Sequence, residues 1–131
     1  MPSIFTRIVN GELPSHCVAE DDEFFAFLDI QPVRPGHTLV IPKQEIDQFF
    51  DMDAELLSRV LVFAKPISSA IQAVTGAERI GAIVAGFDVP HAHLHLIPVD
   101  TMAELDFGRA TPASQAELAE MAEKIRRMLA S

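Results

Sequence analysis

The chain has 131 residues, of which 49% are hydrophobic, so we expect a single domain over residues 1–131 with a substantial core. Its 10 basic and 19 acidic residues give a net charge of −9, which argues against nucleic acid and anionic membranes as partners. No run of about 18 apolar residues is present, so no membrane-spanning helix is expected. One cysteine, Cys17, excludes an internal disulfide, and the first residues lack a secretory pattern, which together favour a cytoplasmic location.

The first third of the chain alternates turn signals with short runs typical of strands. "NGELP" (10–14) and "QPVRPGH" (31–37) are rich in turn residues. "SHCVAE" and "FFAFLDI" lie between them, and "GHTLVIPK" (36–43) follows. Apolar and β-branched runs separated in this way predict an antiparallel meander.

A helix is predicted over about residues 53–75, where apolar residues recur with a 3.6-residue period. Asp53 is the expected N-cap and Gly76 can end the helix. Pro66 lies inside this segment, so a kink or a break is expected there. "RIGAIVAGF" (79–87) and "HAHLHLIPV" (91–99) predict two more strands.

A last helix is predicted to begin with Thr111 as its cap and Pro112 at its first position. "TMAELDFGRA", before it, predicts a loop with at most a short helical turn. The last helix has an apolar stripe made of Leu118, Met121, Ile125, Met128 and Leu129. The order strands, helix, strands, helix predicts an α+β fold, with an antiparallel sheet of about five strands and two main helices.

Three of the five histidines stand at every second position, as His91, His93 and His95. On a strand they share one face, and the apolar residues between them face the core. A single histidine here would be an ordinary hydrogen-bonded structural residue. Three in strict alternation indicate a functional cluster, because unpartnered or mutually charged imidazoles destabilise a fold.

Two kinds of chemistry fit such a cluster. Alternate histidines can bind zinc, with His37 or His16 as a further ligand, but no carboxylate follows the triplet closely and Cys17 has no companion. Alternatively, one neutral imidazole attacks phosphorus while its neighbours donate hydrogen bonds to the phosphoryl oxygens. Phosphoryl transfer suits this second use, because its transition state spreads charge over several oxygens.

The chain resembles a known family at this point. "HAHLHLI" fits the pattern His-φ-His-φ-His-φ-φ, where φ is apolar, and "FLDI" and "PGHTLVIPK" precede it in that order. These segments resemble the histidine triad (HIT) nucleotide-binding family, in its Hint-like branch, over about residues 3–99. The resemblance implies a HIT-like fold whose sheet continues across a homodimer, a purine nucleotide of the AMP or GMP type as substrate or product, and no cofactor.

The resemblance also implies roles for four histidines. His93 would attack the α-phosphorus and form a covalent nucleotidyl-histidine that water cleaves. His95 would contact the phosphate and assist the leaving group. His91 would hold the ring orientation and tautomer of the nucleophile, partly through its backbone carbonyl, and His37 would support the phosphate end of the site.

The nucleotide-binding positions follow in the same way. Asp29 matches the acidic residue that holds the ribose, since one carboxylate can accept hydrogen bonds from both the 2′ and the 3′ hydroxyl. Apolar contact with a flat base implies only modest base selectivity. The positions that match the walls of the base pocket are Phe5, Ile8, Leu13, Phe27 and Ile30.

The loop before the triplet departs from the family. It reads "AGFDVPH", and we assign Gly86, Asp88 and Val89 to a phosphate loop. Phe87 stands where many members have a glutamine, and Asp88 where some have a hydroxyl. A carboxylate near a phosphate is unfavourable unless it points away. "SIFTRI" lacks the cysteines with which many members bind a structural zinc, so no metal is expected.

The resemblance implies a hydrolase that acts at the α-phosphorus of purine nucleotides, most simply a nucleoside 5′-phosphoramidase. A dinucleoside polyphosphate hydrolase is the nearest alternative within the family. A module that binds a nucleotide or a protein with little catalysis, and a zinc enzyme, are alternatives of other classes.

Overall fold

Five antiparallel strands form one sheet in the computed structural model, which describes residues 2–131. The strands lie side by side in the order β1-β2-β3-β5-β4. Their bounds are β1 Cys17–Glu20, β2 Phe24–Leu28, β3 Thr38–Pro42, β4 Arg79–Val84 and β5 Leu94–Val99. The helices are α1 Ile4–Val9, α2 Ala54–Thr75 and α3 Gln115–Ala130, and three short 3₁₀ turns occupy Phe49–Asp51, Met102–Glu104 and Phe107–Arg109. The predicted α+β fold is confirmed.

Both faces of the sheet are covered. Side chains alternate along a strand, so Phe24, Ala26 and Leu28 of β2 join the core cluster under α2 and α3. Phe25 and Phe27 point the other way and pack with Phe5 of α1 in a second cluster. This double burial explains why β2 is a continuous apolar run without polar alternation.

The long helix α2 has the predicted caps. The Asp53 carboxylate accepts a hydrogen bond from the Leu56 N–H at 2.8 Å, and Gly76 ends the helix with φ of +71°. The 22-residue helix continues through Pro66, so a break there is wrong. Its buried stripe packs on the sheet on both sides of Pro66, and this packing offsets the one hydrogen bond that proline cannot donate.

The last helix begins three residues later than predicted, so the start at Thr111 with Pro112 is wrong. Ser114 Oγ accepts from the Glu117 N–H, and the Glu117 carboxylate accepts from the Ser114 N–H, each at 3.1 Å. This capping box satisfies two backbone donors at once. The Thr111 and Ala113 N–H groups donate instead to carbonyls of the 30–32 loop, which keeps residues 111–113 out of the helix.

The short helix α1 was not predicted from the sequence, since six residues are too few for a helical period to show. Ser3 caps it by accepting from the Thr6 N–H at 3.0 Å. Phe5 anchors it to the sheet face opposite α2 and α3. No helix within residues 2–131 combines the length and the apolar character needed to cross a membrane.

The two caps proposed for α3 can be tested directly. We expect Ser114→Ala to lower the free energy of unfolding by about 1 kcal/mol, because it removes a helix cap. Thr111→Ala, which removes an exposed hydroxyl outside the helix, should leave stability nearly unchanged. Urea unfolding followed by circular dichroism measures both, and a larger loss for Thr111→Ala would contradict the observed helix start.

Candidate active site

The histidine triplet lies at the start of β5, and all three rings are buried. Strand β5 begins at Leu94, so His91 and His93 directly precede it, where strand was predicted from residue 91. The intervening Ala92 and Leu94 lie in the core cluster beneath α2 and α3. The imidazoles therefore occupy the opposite face of the sheet, and the rings of His93 and His95 have centroids 4.9 Å apart.

Backbone contacts determine the tautomer of His91. Its Nε2 lies 2.8 Å from the Pro42 carbonyl oxygen, which can only accept, so Nε2 carries the proton. In the neutral ring Nδ1 is then an acceptor, and the Ser3 hydroxyl donates to it at 2.7 Å. Burial lowers the pKa of His91 below its ordinary value, which favours this neutral form.

Ser3 connects the triplet to α1 and to a surface carboxylate. The Glu45 carboxylate accepts from the Ser3 N–H at 2.5 Å and from the Thr6 hydroxyl at 2.6 Å. The backbone hydrogen bond from Ser3 lowers the pKa of Glu45. Sequence reasoning missed Ser3 and Glu45; the available signal was only the capping serine before a short apolar segment.

His93 presents a free nitrogen lone pair. Its Nδ1–H donates to the His91 carbonyl at 2.7 Å, so Nε2 of the neutral ring carries the lone pair. This Nε2 is buried and has no hydrogen-bond partner within residues 2–131. The Phe5 ring meets the imidazole edge-on, with centroids 5.1 Å apart. A buried, unpartnered nitrogen is costly, and functional sites are where such groups are retained.

A chain of hydrogen bonds fixes the tautomers of His37 and His95. The Val33 N–H donates to His37 Nδ1 at 3.0 Å, so the proton of His37 is on Nε2. That Nε2–H donates to His95 Nδ1 at 2.9 Å, which places the proton of His95 on its own Nε2. Burial lowers the pKa of His37 to about 3 and that of His95 to about 4, so both rings are neutral at pH 7.

Asp29 lies beside this chain. One carboxylate oxygen is 3.6 Å from His37 Nε2, and the other accepts from the Gln31 N–H at 2.9 Å. Burial raises the pKa of Asp29, and the nearby charge of Asp88 raises it further. Asp29 lines a cavity together with His95 and Asp88, so a carboxylate that can accept hydrogen bonds lies next to the imidazoles.

A metal could be suspected here, because ligand atoms of Asp29, His37 and His95 lie within 4.8 Å of one another. A metal needs the lone pair of His37 Nε2, but the Val33 N–H on Nδ1 keeps a proton on that nitrogen. His16 lies apart and bonds to Gln115 at 2.8 Å. The hydrogen bonding of the donor set therefore argues against the zinc alternative.

Two cavities flank the triplet. One of about 460 Å³ is lined by Asp29, Asp88 and His95, and one of about 530 Å³ by Gly86 and His93. Both fall within the usual range for small-molecule sites. Within residues 2–131, no lysine or arginine lines either cavity.

Asp88 lies closest to the free nitrogen. Its Oδ1 is 3.2 Å from His93 Nε2, but the angle does not make a hydrogen bond, and the side chain is 71% exposed. Phe87 beside it is fully exposed, and Gly86 before it has φ of +87°, a conformation that favours glycine. Asp88 therefore lies on a surface loop next to Nε2 of His93.

The predicted apolar pocket is assembled in part. Phe5, Ile8 and Phe27 lie in one cluster on the histidine side of the sheet, and the rings of Phe5 and Phe27 have centroids 5.4 Å apart. Val89 of the predicted phosphate loop packs against the same cluster. Leu13 and Ile30 lie outside this cluster, and Ile30 lines the cavity of about 460 Å³ instead.

A model of the HIT domain matches residues 10–102, which is more than half of the chain. The chain belongs to the HIT family. An uncharacterised HIT-like protein of Borreliella burgdorferi is 43% identical to this HIT protein over 102 residues, which cover 72% of this chain and 73% of that protein. An adenosine 5′-monophosphoramidase of Saccharomyces cerevisiae is 36% identical over 96 residues, or 72% and 61% of the two chains.

A solved structure extends the likeness to the fold of this HIT protein. A HIT-like protein of Bartonella henselae superposes with a TM-score of 0.85 at 34% identity, covering 96% of this chain and 95% of that one. Members of the HIT family are typically nucleotide hydrolases or nucleotide-binding proteins. The histidine cluster and its two cavities belong to a domain of that class.

The neutral state of His37 and His95 has a consequence for stability. In the unfolded chain a histidine takes up a proton near pH 6.5, whereas the folded rings do so only near pH 3 and 4. We therefore expect stability to fall as pH drops below about 6.5, by up to about 1.4 kcal/mol per pH unit for each ring. Urea unfolding across pH and ¹⁵N spectra of the rings measure this. Signals of His37 or His95 that titrate near pH 6.5 would contradict it.

Proposed function

We propose that this HIT protein hydrolyses nucleoside 5′-phosphoramidates of the purine type through a covalent nucleotidyl intermediate on His93. The observation that carries the proposal is the buried, unpartnered Nε2 of His93, whose lone pair is held available by the His91 carbonyl on Nδ1. An imidazole in this tautomer is a nucleophile without prior loss of a proton.

The reaction follows from the tautomers. His93 Nε2 attacks the α-phosphorus, a phosphorus–nitrogen bond to the ring forms, and the bond to the amine leaving group breaks, with the amine taking a proton from water. The ring becomes cationic, which strengthens its Nδ1–H bond to the His91 carbonyl. Water then attacks the same phosphorus, the bond from phosphorus to His93 Nε2 breaks, and the proton that this water loses neutralises the hydroxide left by the first step. The products are the nucleoside monophosphate and neutral His93.

His95 and His37 support the phosphoryl group in this scheme. Because His95 carries its proton on Nε2, it can donate a hydrogen bond to a phosphoryl oxygen or to the leaving group. His37 holds that tautomer through the bond at 2.9 Å and takes no direct part. Both rings stay neutral at pH 7, so the site stabilises developing charge with fixed dipoles rather than with cations.

The nucleoside would lie beside the triplet. Asp29 would accept from the ribose hydroxyls, and the purine would contact the cluster of Phe5, Ile8 and Phe27. The roles given to Leu13 and Ile30 in the base pocket, and to Gly86 and Val89 at the phosphate, stay predictions from the sequence. The yeast phosphoramidase relative at 36% identity supports the choice of adenosine and the Hint-like branch.

A nucleotide-binding module with little catalysis is the second candidate. Asp88 favours it, since a carboxylate 3.2 Å from His93 Nε2 occupies space that an attacked phosphoryl group needs. In that case the site would bind a nucleoside product but rarely reach the covalent step. Acid quenching followed by mass spectrometry decides between the two, because only the hydrolase accumulates a nucleotidyl-protein adduct.

The key substitution is His93→Ala. We expect it to lower turnover of adenosine 5′-phosphoramidate by roughly 10³-fold or more, because the nucleophile is lost, while AMP still binds. Steady-state kinetics and calorimetry measure the two effects. His16→Ala, whose ring lies outside the cluster, is the control and should keep its activity. Wild-type rates in His93→Ala would overturn the mechanism.

We also propose a homodimer whose sheet continues across β4. Strand β4 forms one edge of the sheet within residues 2–131, and its backbone on that side is open to a second copy. Helix α2 contacts β4 and exposes Leu61 and Val62, at 64% and 70%. An apolar helix face beside an open strand edge is the surface that such a pairing would bury.

The dimer is tested by sedimentation. We expect the native protein to have twice the mass of the 14.4 kDa chain. Leu61→Asp and Val62→Asp should shift it toward monomer without unfolding it, since both side chains are already exposed. Met128→Asp, at an exposed position of α3, which contacts β1 at the opposite edge of the sheet, is the matched control. A native protein that sediments as a monomer at micromolar concentration would exclude this dimer.

A cytoplasmic location stays a prediction from the sequence. Cys17 is free and partly buried, and burial raises the pKa of its thiol. A protonated, partly buried thiol is poorly reactive and is compatible with a reducing compartment.

A further inference from the structure

The loop residue Asp88 occupies the space next to the proposed nucleophile, His93 Nε2. Its carboxylate oxygen Oδ1 lies 3.2 Å from His93 Nε2. It lines the cavity of about 460 Å³ together with Asp29 and His95. In the proposed reaction this cavity holds the ribose beside Asp29 and the leaving group beside Asp88 and His95.

The lysine, arginine, aspartate and glutamate side chains that line the two cavities within residues 2–131 are all acidic. Asp29 and Asp88 line the first cavity, Asp47 lines the second, and no lysine or arginine within residues 2–131 lines either. Burial raises the pKa of Asp29, and the charge of Asp88 adds to that effect. A cation placed between the two carboxylates would relieve this repulsion, whereas an added anion would increase it.

A bound substrate must displace the Asp88 carboxylate from its present position. The reacting phosphorus has to approach His93 Nε2 to about 3–3.5 Å, where the carboxylate now lies. The side chain is largely exposed, and no hydrogen bond from residues 2–131 holds it. Once displaced, the Asp88 carboxylate stays close enough to interact with the leaving group. A carboxylate can only accept hydrogen bonds, so it attracts ammonium groups and repels phosphate and carboxylate groups.

We infer that Asp88 is a specificity-determining residue. It selects nucleoside phosphoramidates whose leaving amine carries a further, cationic group, and it rejects anionic leaving groups, polyphosphates included. This rests on the proposed function. It names the substrate class of the same site and explains why a residue unfavourable to bare phosphate can lie beside the nucleophile.

The test uses three adenosine 5′-phosphoramidates whose four-carbon amines differ only at the far end. The amines are 1,4-diaminobutane, 4-aminobutanol and 4-aminobutanoate, which end in an ammonium, a hydroxyl and a carboxylate. We expect kcat/KM of the wild type to fall in that order, by about tenfold from first to last at low ionic strength. The spread should shrink at high salt, because Asp88 is exposed.

Asp88→Asn keeps the shape of the side chain and removes its charge. We expect this variant to bring the three values of kcat/KM within about twofold of each other, and to raise kcat/KM for diadenosine triphosphate severalfold. Asp22→Asn is the matched control, since it removes one exposed carboxylate from a turn outside both cavities and should keep the wild-type order. If Asp88→Asn keeps the wild-type order and spread, the inference is wrong.

The two proposals fail in different ways. If the wild type hydrolyses none of the three compounds, the proposed function is wrong, and the uncleaved compounds serve as ligands. Their dissociation constants, measured by calorimetry for the wild type and for Asp88→Asn, then carry the same comparison. A preference for the ammonium compound that disappears in Asp88→Asn supports the inference, and equal affinities in the wild type overturn it.

Discussion

The hydrogen bond from His93 Nδ1–H to the His91 carbonyl is the contact on which the site depends. It joins two residues that lie two apart in the sequence, just before β5 begins. By assigning the proton of His93 to Nδ1, it leaves the lone pair at Nε2, which is buried and has no hydrogen-bond partner in the described part of the chain. Without this bond nothing would fix the tautomer of the ring, and the lone pair would no longer be held at Nε2.

Backbone groups set the protonation of the whole cluster. The Pro42 carbonyl assigns the proton of His91, and the Val33 N–H assigns those of His37 and His95 in turn. Backbone donors and acceptors cannot change protonation state, so the pattern is insensitive to pH until the rings themselves titrate. Burial lowers the pKa of His37 and of His95, so both rings stay neutral at pH 7 in a chain of net charge −9.

Local patterns predicted most of the fold. The caps of α2 at Asp53 and Gly76 follow from residue types next to a periodic segment, and they lie where predicted. The start of α3 at Thr111 was wrong, because backbone bonds to the 30–32 loop compete with the helix and no local signal reveals them. Helix α1 was missed because its stability comes from Phe5 packing on the sheet, which is a tertiary contact.

The sequence by itself determined which residues share a face. Alternation along an extended chain is a local property. It predicts that His91, His93 and His95 lie on one side of the sheet, opposite the apolar residues between them. Only the tertiary structure decided what those rings can do. Contacts with Pro42 and Val33, which are distant in the sequence, assign the protons of His91 and His95, and a loop conformation brings Asp88 to His93. Protonation and charge depend on atoms within a few ångströms in space, which spacing along the chain does not encode.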